Sequence, residues 1–158
     1  MRESEINTDF EYREGNLYWK VNRSRMKIGD LAGAIDDKGY RVVSWNNKTY
    51  KVHRLIFMMF NGYLPKFIDH IDGNPANNCI ENLRPATMRE NLCNTRMRTN
   101  NTSGVKGVSW HKPTNKWQVK LHIDGKATHI GLYDTVEQAK EIADATRLKH
   151  HGKFARYA

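Results

Sequence analysis

The sequence predicts an α+β protein built from two small modules, and three observations carry that expectation. A chain of 158 residues fits one ordinary domain or two small ones. Hairpin-type turn signals recur between β-rich runs, at Gly15-Asn16, at Asn46-Asn47-Lys48 and at Asp124-Gly125. Helix-start signatures stand apart from them, at Thr87-x-x-Glu90 and at Asp134-Thr135-Val136-Glu137.

Taken in order, residues 10–21 carry aromatics on either side of Gly15-Asn16 and read as a short hairpin. GYRVVSW and TYKV flank Asn46-Asn47-Lys48 as a second. The period then changes: His53–Gly62 is a nearly continuous apolar run, long enough for about three helical turns and closed by an Asn-Gly cap. That helix is expected to supply the core of the first module. A short apolar strand ends at Asp69-His70, an Asn/Gly/Pro-rich loop follows, IENL reads as a second extended piece, and a helix starts after Pro85. Residues 99–104 are polar and short of large apolar side chains, which marks a linker. Beyond it lie three extended segments, GVKGVSWH, KWQVKLHI and ATHIGLY. The last helix places Val136, Ala139, Ile142, Ala143 and Thr146 at helical spacing, a small-residue face suited to packing on a three-stranded sheet. The expected domains are therefore 1–98, a linker at 99–104, and 105–158.

The chain has 26 Lys and Arg against 17 Asp and Glu, a formal charge of +9. Such a charge points to a polyanionic partner only where the basic residues gather. They gather between Arg84 and Lys120: Arg84, Arg89, Arg96, Arg98, Lys106, Lys112, Lys116 and Lys120 stand against Glu90 alone. The two cysteines, Cys79 and Cys93, form no Cys-x-x-Cys pair, which argues against a thiolate zinc site and for two reduced, mostly buried thiols. No apolar run approaches the roughly 20 residues of a membrane span, and the polar start is unlike a signal peptide. These features predict a cytoplasmic protein with no membrane association.

The densest chemistry lies in Asp69-His70, Asn82 and Asn91. A carboxylate and an amide oxygen are hard ligands suited to Mg²⁺, which keeps several waters and shares its shell with substrate phosphate. A neighbouring histidine that titrates near neutrality can take a proton from an attacking water. Together these are parts for phosphodiester hydrolysis. Each residue also has an ordinary structural reading, since Asp and Asn are frequent in turns and Asn82 could simply bond a loop backbone.

Asp69-His70-Ile71-Asp72-Gly73, Asn77-Asn78, Ile80-Glu81-Asn82-Leu83-Arg84 and Glu90-Asn91, preceded by His53-Arg54-Leu55, resemble the HNH motif of phage and intron-encoded homing endonucleases over about residues 39–98. The resemblance implies a ββα-metal (His-Me finger) nuclease domain. In it His70 would be the general base and Asp69 a metal ligand. Asn82 would tie the loop together and help orient His70, and Asn91 would be the second ligand in place of a frequent His. An Asn at that position favours Mg²⁺ or Mn²⁺ over a tightly held transition metal. Asp72 reads as a loop-organising residue, and His53 and Arg54 as packing residues.

The segment Ser103–Ala155 resembles the DNA-binding domain of ethylene-response-factor (APETALA-type) proteins. It does so through Gly107-Val108, Lys116-Trp117, the run from Ile130 to Thr135, Glu137-Gln138-Ala139, Ala143, Asp144 and Gly152. Such a domain would lay a three-stranded sheet in the major groove. Alternation along KWQVKLHI puts Lys116, Gln118, Lys120 and His122 on one face, toward phosphates and base edges, and Trp117, Val119, Leu121 and Ile123 on the other. Trp117 reads as a core residue; Trp110 could face either way. The expected DNA contacts are the eight basic residues above together with His122.

These readings converge on a metal-dependent endonuclease acting on double-stranded DNA. One HNH motif cuts one strand per event, so a monomer nicks and a double-strand break needs a homodimer or a second encounter. The rival reading is a non-catalytic DNA-binding regulator carrying a relic motif. A relic should have lost Asp69, His70 or Asn91, and all three are present.

Overall fold

A computed structural model describes residues 2–94, 97 and 99–155. It is a mixed α/β structure that divides into two compact units, Met1–Ala86 and Thr87–Ala158. Among the described residues, no helix is long and apolar enough to cross a membrane.

The first unit opens with a short helix α1 (Glu3–Asp9), which the sequence did not announce because its one apolar residue, Ile6, sets no period. Ile6 is nonetheless fully buried. Strands β1 (Phe10–Arg13) and β2 (Asn16–Trp19) form the first hairpin. Its turn is Glu14-Gly15, both at positive φ, so Asn16 is already in the strand. Next come β3 (Ala34–Ile35), β4 (Arg41–Trp45) and β5 (Lys48–Lys51), a three-stranded antiparallel sheet in chain order. Asn46 and Asn47, at φ of 50° and 59°, make the left-handed turn that a two-residue hairpin requires.

Helix α2 (Val52–Asn61) ends at Gly62, whose φ of 70° is the left-handed cap expected there. Val52, His53, Leu55, Ile56 and Phe57 are its buried face. They join Phe10, Leu17, Trp19, Val43 and Trp45 in one core. Strands β6 (Phe67–His70) and β7 (Leu83–Ala86) pair antiparallel, with Asp69 opposite Arg84 and His70 opposite Leu83. The extended piece expected at IENL is instead a 3₁₀ turn over Ile80–Asn82, closed by the Asn82 N–H to Cys79 carbonyl bond of 2.9 Å; the strand begins only at Leu83. A four-residue apolar fragment carries too little period to separate the two forms.

The second unit begins with α3 (Met88–Cys93), started by the expected capping box: Thr87 Oγ1 accepts from Glu90 N–H, and the Glu90 carboxylate accepts from Thr87 N–H. Strands β8 (Val108–His111), β9 (Lys116–Ile123) and β10 (Lys126–Tyr133) form an antiparallel sheet in the order β10-β9-β8. Helix α4 (Val136–His151) packs on it, burying Ala139 and Ala143 against Val108, Val119 and Leu121. The cap is Thr135, which accepts from Gln138 N–H, one residue later than the sequence pattern suggested. Ile142 does not join this face and is 38% exposed. Instead Arg147 is buried, donating to Asp144 and to the Lys106 carbonyl.

The chain thus divides after Ala86, and α3 belongs with the C-terminal sheet. The polar stretch 99–104 lies inside the second unit. There Asn101 Oδ1 accepts from Ser103 and Gly104 N–H and its Nδ2 donates to the Val105 carbonyl.

Candidate active site

Asp69 and His70 end a strand that is buried on both faces: Ile68, Asp69 and His70 are each less than a tenth exposed. A buried carboxylate needs compensation. Arg84 supplies it from the facing position on β7, with Nη2 2.7 Å and Nε 2.8 Å from Asp69 Oδ2.

His70 is gripped from two sides. The Asn78 carboxamide, itself only 1% exposed, puts Oδ1 3.1 Å from His70 Nε2. The His53 ring, from the first turn of α2, stands edge-on to it at 4.9 Å. Tyr40 flanks both rings, and the Lys51 ammonium lies 3.6 Å above the Tyr40 ring. Burial pushes the His53 imidazole down to about 3, helped by the positive charges of His70, Lys51 and Arg54. His53 is therefore neutral across the physiological range, and its Nδ1 has no hydrogen-bond partner among the described residues. Burial also lowers the His70 pKa, against the upward pull of the Asn78 bond and of the Asp72 and Asp69 carboxylates.

The loop between β6 and β7 is organised by Asp72 and Asn82. Asn82 Oδ1 accepts from Asp72 N–H at 3.0 Å, while its Nδ2 donates to Asp72 Oδ1 at 3.0 Å and to the Asn77 carbonyl at 2.8 Å. Burial raises the Asp72 pKa, but the bonds from Asn74, Asn77 and Asn82 outweigh it and hold the carboxylate below its usual range. Asn82 thus acts on the backbone just after His70, and the side chain that touches the imidazole is Asn78. The sequence assigns no role to Asn77 or Asn78; among several loop asparagines, nothing local says which one turns inward.

The N-terminal hairpin braces this loop. Tyr12 Oη accepts from Ile80 N–H at 3.3 Å. At Gly15, φ +79°, a Cβ would lie 2.8 Å from Cys79 N and 3.1 Å from the Asn78 carbonyl carbon, so only glycine allows the turn to approach so closely. Arg54 donates to the Lys66 and Pro65 carbonyls, tying α2 to the segment that enters β6.

Asn91 lies on α3 in the second unit, where it is exposed. Of the expected DNA contacts in that unit, Arg89 pairs with Asp124 and Lys116 with Asp134. Lys106 Nζ donates to the Cys93 carbonyl at 3.1 Å. Lys112, Lys120 and His122 are exposed. Arg96 and Arg98 lie outside the described residues. Lys116, Gln118, Lys120 and His122 share one face of β9 while Val119 and Leu121 are buried on the other. Two neighbours on the polar face were not singled out from sequence: His129 sits opposite Lys120 and 3.2 Å from Gln118 Nε2, and Ser109 is opposite Gln118. Trp110 pairs with Trp117 on the helix side, their rings 5.1 Å apart at 71°.

Among the described residues no three His, Cys, Asp or Glu side chains form a group that could hold a metal. The donor that stands in the His70 site is a hard carboxylate oxygen, the ligand type that Mg²⁺ or Mn²⁺ takes while keeping most of its waters.

Residues 50–93, which contain α2, both site strands and α3, match the family described as HNH endonuclease. The prophage protein YosQ of Bacillus subtilis (strain 168), named for an HNH homing endonuclease, is 35% identical over 129 residues, which are 76% of this chain and 68% of that protein. The chain belongs to the HNH endonuclease family. Another HNH endonuclease relative, from Acanthamoeba polyphaga mimivirus, is 31% identical over 116 residues, 72% of this chain and 59% of that protein. Protein 3.8 of Escherichia phage T7 is 39% identical over 112 residues, covering 70% of this chain and 92% of its own length. No solved structure matches the chain. The HNH match contains His53, Asp69, His70, Asn78, Asn82, Arg84 and Asn91.

Proposed function

We propose that this HNH family member is a metal-dependent endonuclease that hydrolyses one phosphodiester bond of double-stranded DNA, leaving 5′-phosphate and 3′-hydroxyl ends. The observation that carries the proposal is the buried Asp69-His70 strand end inside the matched segment, with His70 held by Asn78 and Asp69 by Arg84. His70 takes the proton from the attacking water. Asp69 and Asn91 are the ligands of a Mg²⁺ or Mn²⁺ ion, and Asn82 fixes the turn that follows His70. When bound, the metal supplies Lewis-acid stabilisation of the phosphate and of the leaving 3′-oxygen.

The second unit is the DNA grip. Its three-stranded sheet with one packed helix agrees with an ethylene-response-factor type of module, and the exposed Lys120 and His122 face supports contact with phosphates and base edges. Arg84, Arg89, Arg96, Arg98, Lys106, Lys112 and Lys116 add to the basic residues, although Arg84 is buried against Asp69 and Arg89 is paired with Asp124 at the surface. The homing designation of YosQ supports a preference for particular sites. With one motif per chain, the monomer nicks, and linear product requires a homodimer or a second encounter. Incubation with supercoiled plasmid and Mg²⁺ tests the reading. Nicked circles that appear with Mg²⁺ and vanish with EDTA are expected; unchanged plasmid at all Mg²⁺ and Mn²⁺ concentrations contradicts it.

A further inference from the structure

We propose that Asn78 is the positioning residue of the His70 site: its side-chain oxygen fixes the imidazole in the tautomer that makes Nδ1 the base nitrogen. The inference rests on the reading of His70 as general base and adds to it the residue that aims the base. A carboxamide oxygen can only accept a hydrogen bond. With Asn78 Oδ1 3.1 Å from His70 Nε2, the hydrogen bond forms in the neutral imidazole that carries its proton on Nε2, which leaves the lone pair on Nδ1.

Stability gives no reason for an amide at this place. Asn78 is 1% exposed and its Nδ2 has no hydrogen-bond partner among the described residues, so the side chain bears the desolvation cost of an orphaned amino group. An apolar residue of similar size would avoid that cost. A buried polar group left half-satisfied calls for a functional explanation, and among the described residues this amide makes its polar contact with the histidine ring. The amide is also well aimed. Its loop is pressed by the β1–β2 turn at Gly15 and anchored through Tyr12 Oη to Ile80, and the neighbouring Asn77 Oδ1 accepts from Cys79 N–H at 3.3 Å. On the other flank, the edge-on His53 ring blocks rotation of the imidazole. Loss of the Asn78 oxygen would free the ring to exchange tautomers, and misorientation on the scale of an ångström can cost about 100-fold in rate.

The test uses full-length protein with ¹⁵N-labelled histidine. In the wild type the His70 resonances should report the Nε2–H tautomer; a His70 that carries its proton on Nδ1 overturns the proposal without any variant. Asn78→Ala should populate both tautomers and lower kcat for plasmid nicking about 10- to 100-fold with KM little changed. Asn78→Asp, which keeps an oxygen at the same place, should hold the Nε2–H tautomer. In a His70→Ala background, Asn78→Ala should change the residual rate no further. An additional loss there, or an unchanged His70 tautomer in Asn78→Ala, overturns the assignment. A wild type with the Nε2–H tautomer that cuts no DNA would support the hydrogen-bond assignment and contradict the nuclease reading, so the two failures are distinguishable.

Discussion

Asp69 and Arg84 face each other across the β6–β7 pair, and both Nε and Nη2 of the arginine bond to the same carboxylate oxygen, at 2.8 and 2.7 Å. Sequence reasoning gave the first to a metal and the second to DNA; in the fold, each is a partner of the other. The pair is buried, 3% exposed at the aspartate and 13% at the arginine, so neither charge is well served by water. Removing one member of a buried pair typically costs about 3–5 kcal/mol, because the other is left uncompensated. Arg84→Ala should therefore lower the unfolding free energy by roughly that amount, measured by urea denaturation. A loss below about 1 kcal/mol would mean that other contacts of Asp69 suffice and that Arg84 is available to substrate.

The ligand assignment predicts a matched pair of phenotypes. One carboxylate and one amide oxygen make a weak site that fills mainly when phosphate completes it. Asn91→Ala should abolish nicking across a Mg²⁺ titration while retaining DNA binding in a gel-shift assay; Asp69→Ala should abolish it too, with its unfolding free energy measured alongside because it also strips buried Arg84 of its partner. Wild-type rates from Asn91→Ala at every Mg²⁺ concentration would remove that residue from the ligand set.

His53 predicts an acid-labile fold. Its pKa falls from the ordinary 6.5 to about 3 in the folded protein, chiefly through burial. The unfolded chain therefore binds a proton that the folded one refuses. Stability is complete above pH 6.5 and is lost as pH drops toward about 3, with a slope of up to about 1.4 kcal/mol per pH unit. His70, lowered in the same direction, adds to the trend. His53→Leu should flatten the profile in urea melts taken from pH 7 to pH 4. Parallel profiles for wild type and variant would show that His53 is protonated inside the fold.

Lys120 and Lys116 should differ as DNA contacts. Lys120 is exposed on the polar face of β9, opposite His129, whereas Lys116 sits 2.9 Å from Asp134. If Lys120 touches a phosphate, Lys120→Ala lowers the log–log salt slope of binding by about 0.9. Asp134→Ala should leave that slope unchanged or make it steeper. A Lys120→Ala slope equal to wild type would move the grip away from this sheet face.

Features governed by local rules were legible in the sequence. Asn46-Asn47 and Asp124-Gly125 specify left-handed two-residue turns, Gly62 caps α2, Thr87 and Glu90 start α3, and alternation along β9 separates Lys120 from Val119 and Leu121. Features that depend on register or on a single side chain were not. Ile6 buries a helix that has no period, Ile80–Asn82 coils where an extended run was expected, and Ile142 leaves the face its spacing assigned. At the site, Asp69 and His70 stood out by residue type. The Arg84 partnership needed the β6–β7 register, and the Asn78 contact needed to know which of two adjacent asparagines turns inward.

The most direct measurement of the central claim is the nicking rate of His70→Ala on supercoiled plasmid at saturating Mg²⁺, paired with its DNA affinity. A general base is worth about 10²- to 10⁴-fold in rate, so the variant should bind DNA like the wild type and nick it slower by that factor. Wild-type nicking by His70→Ala would contradict the account.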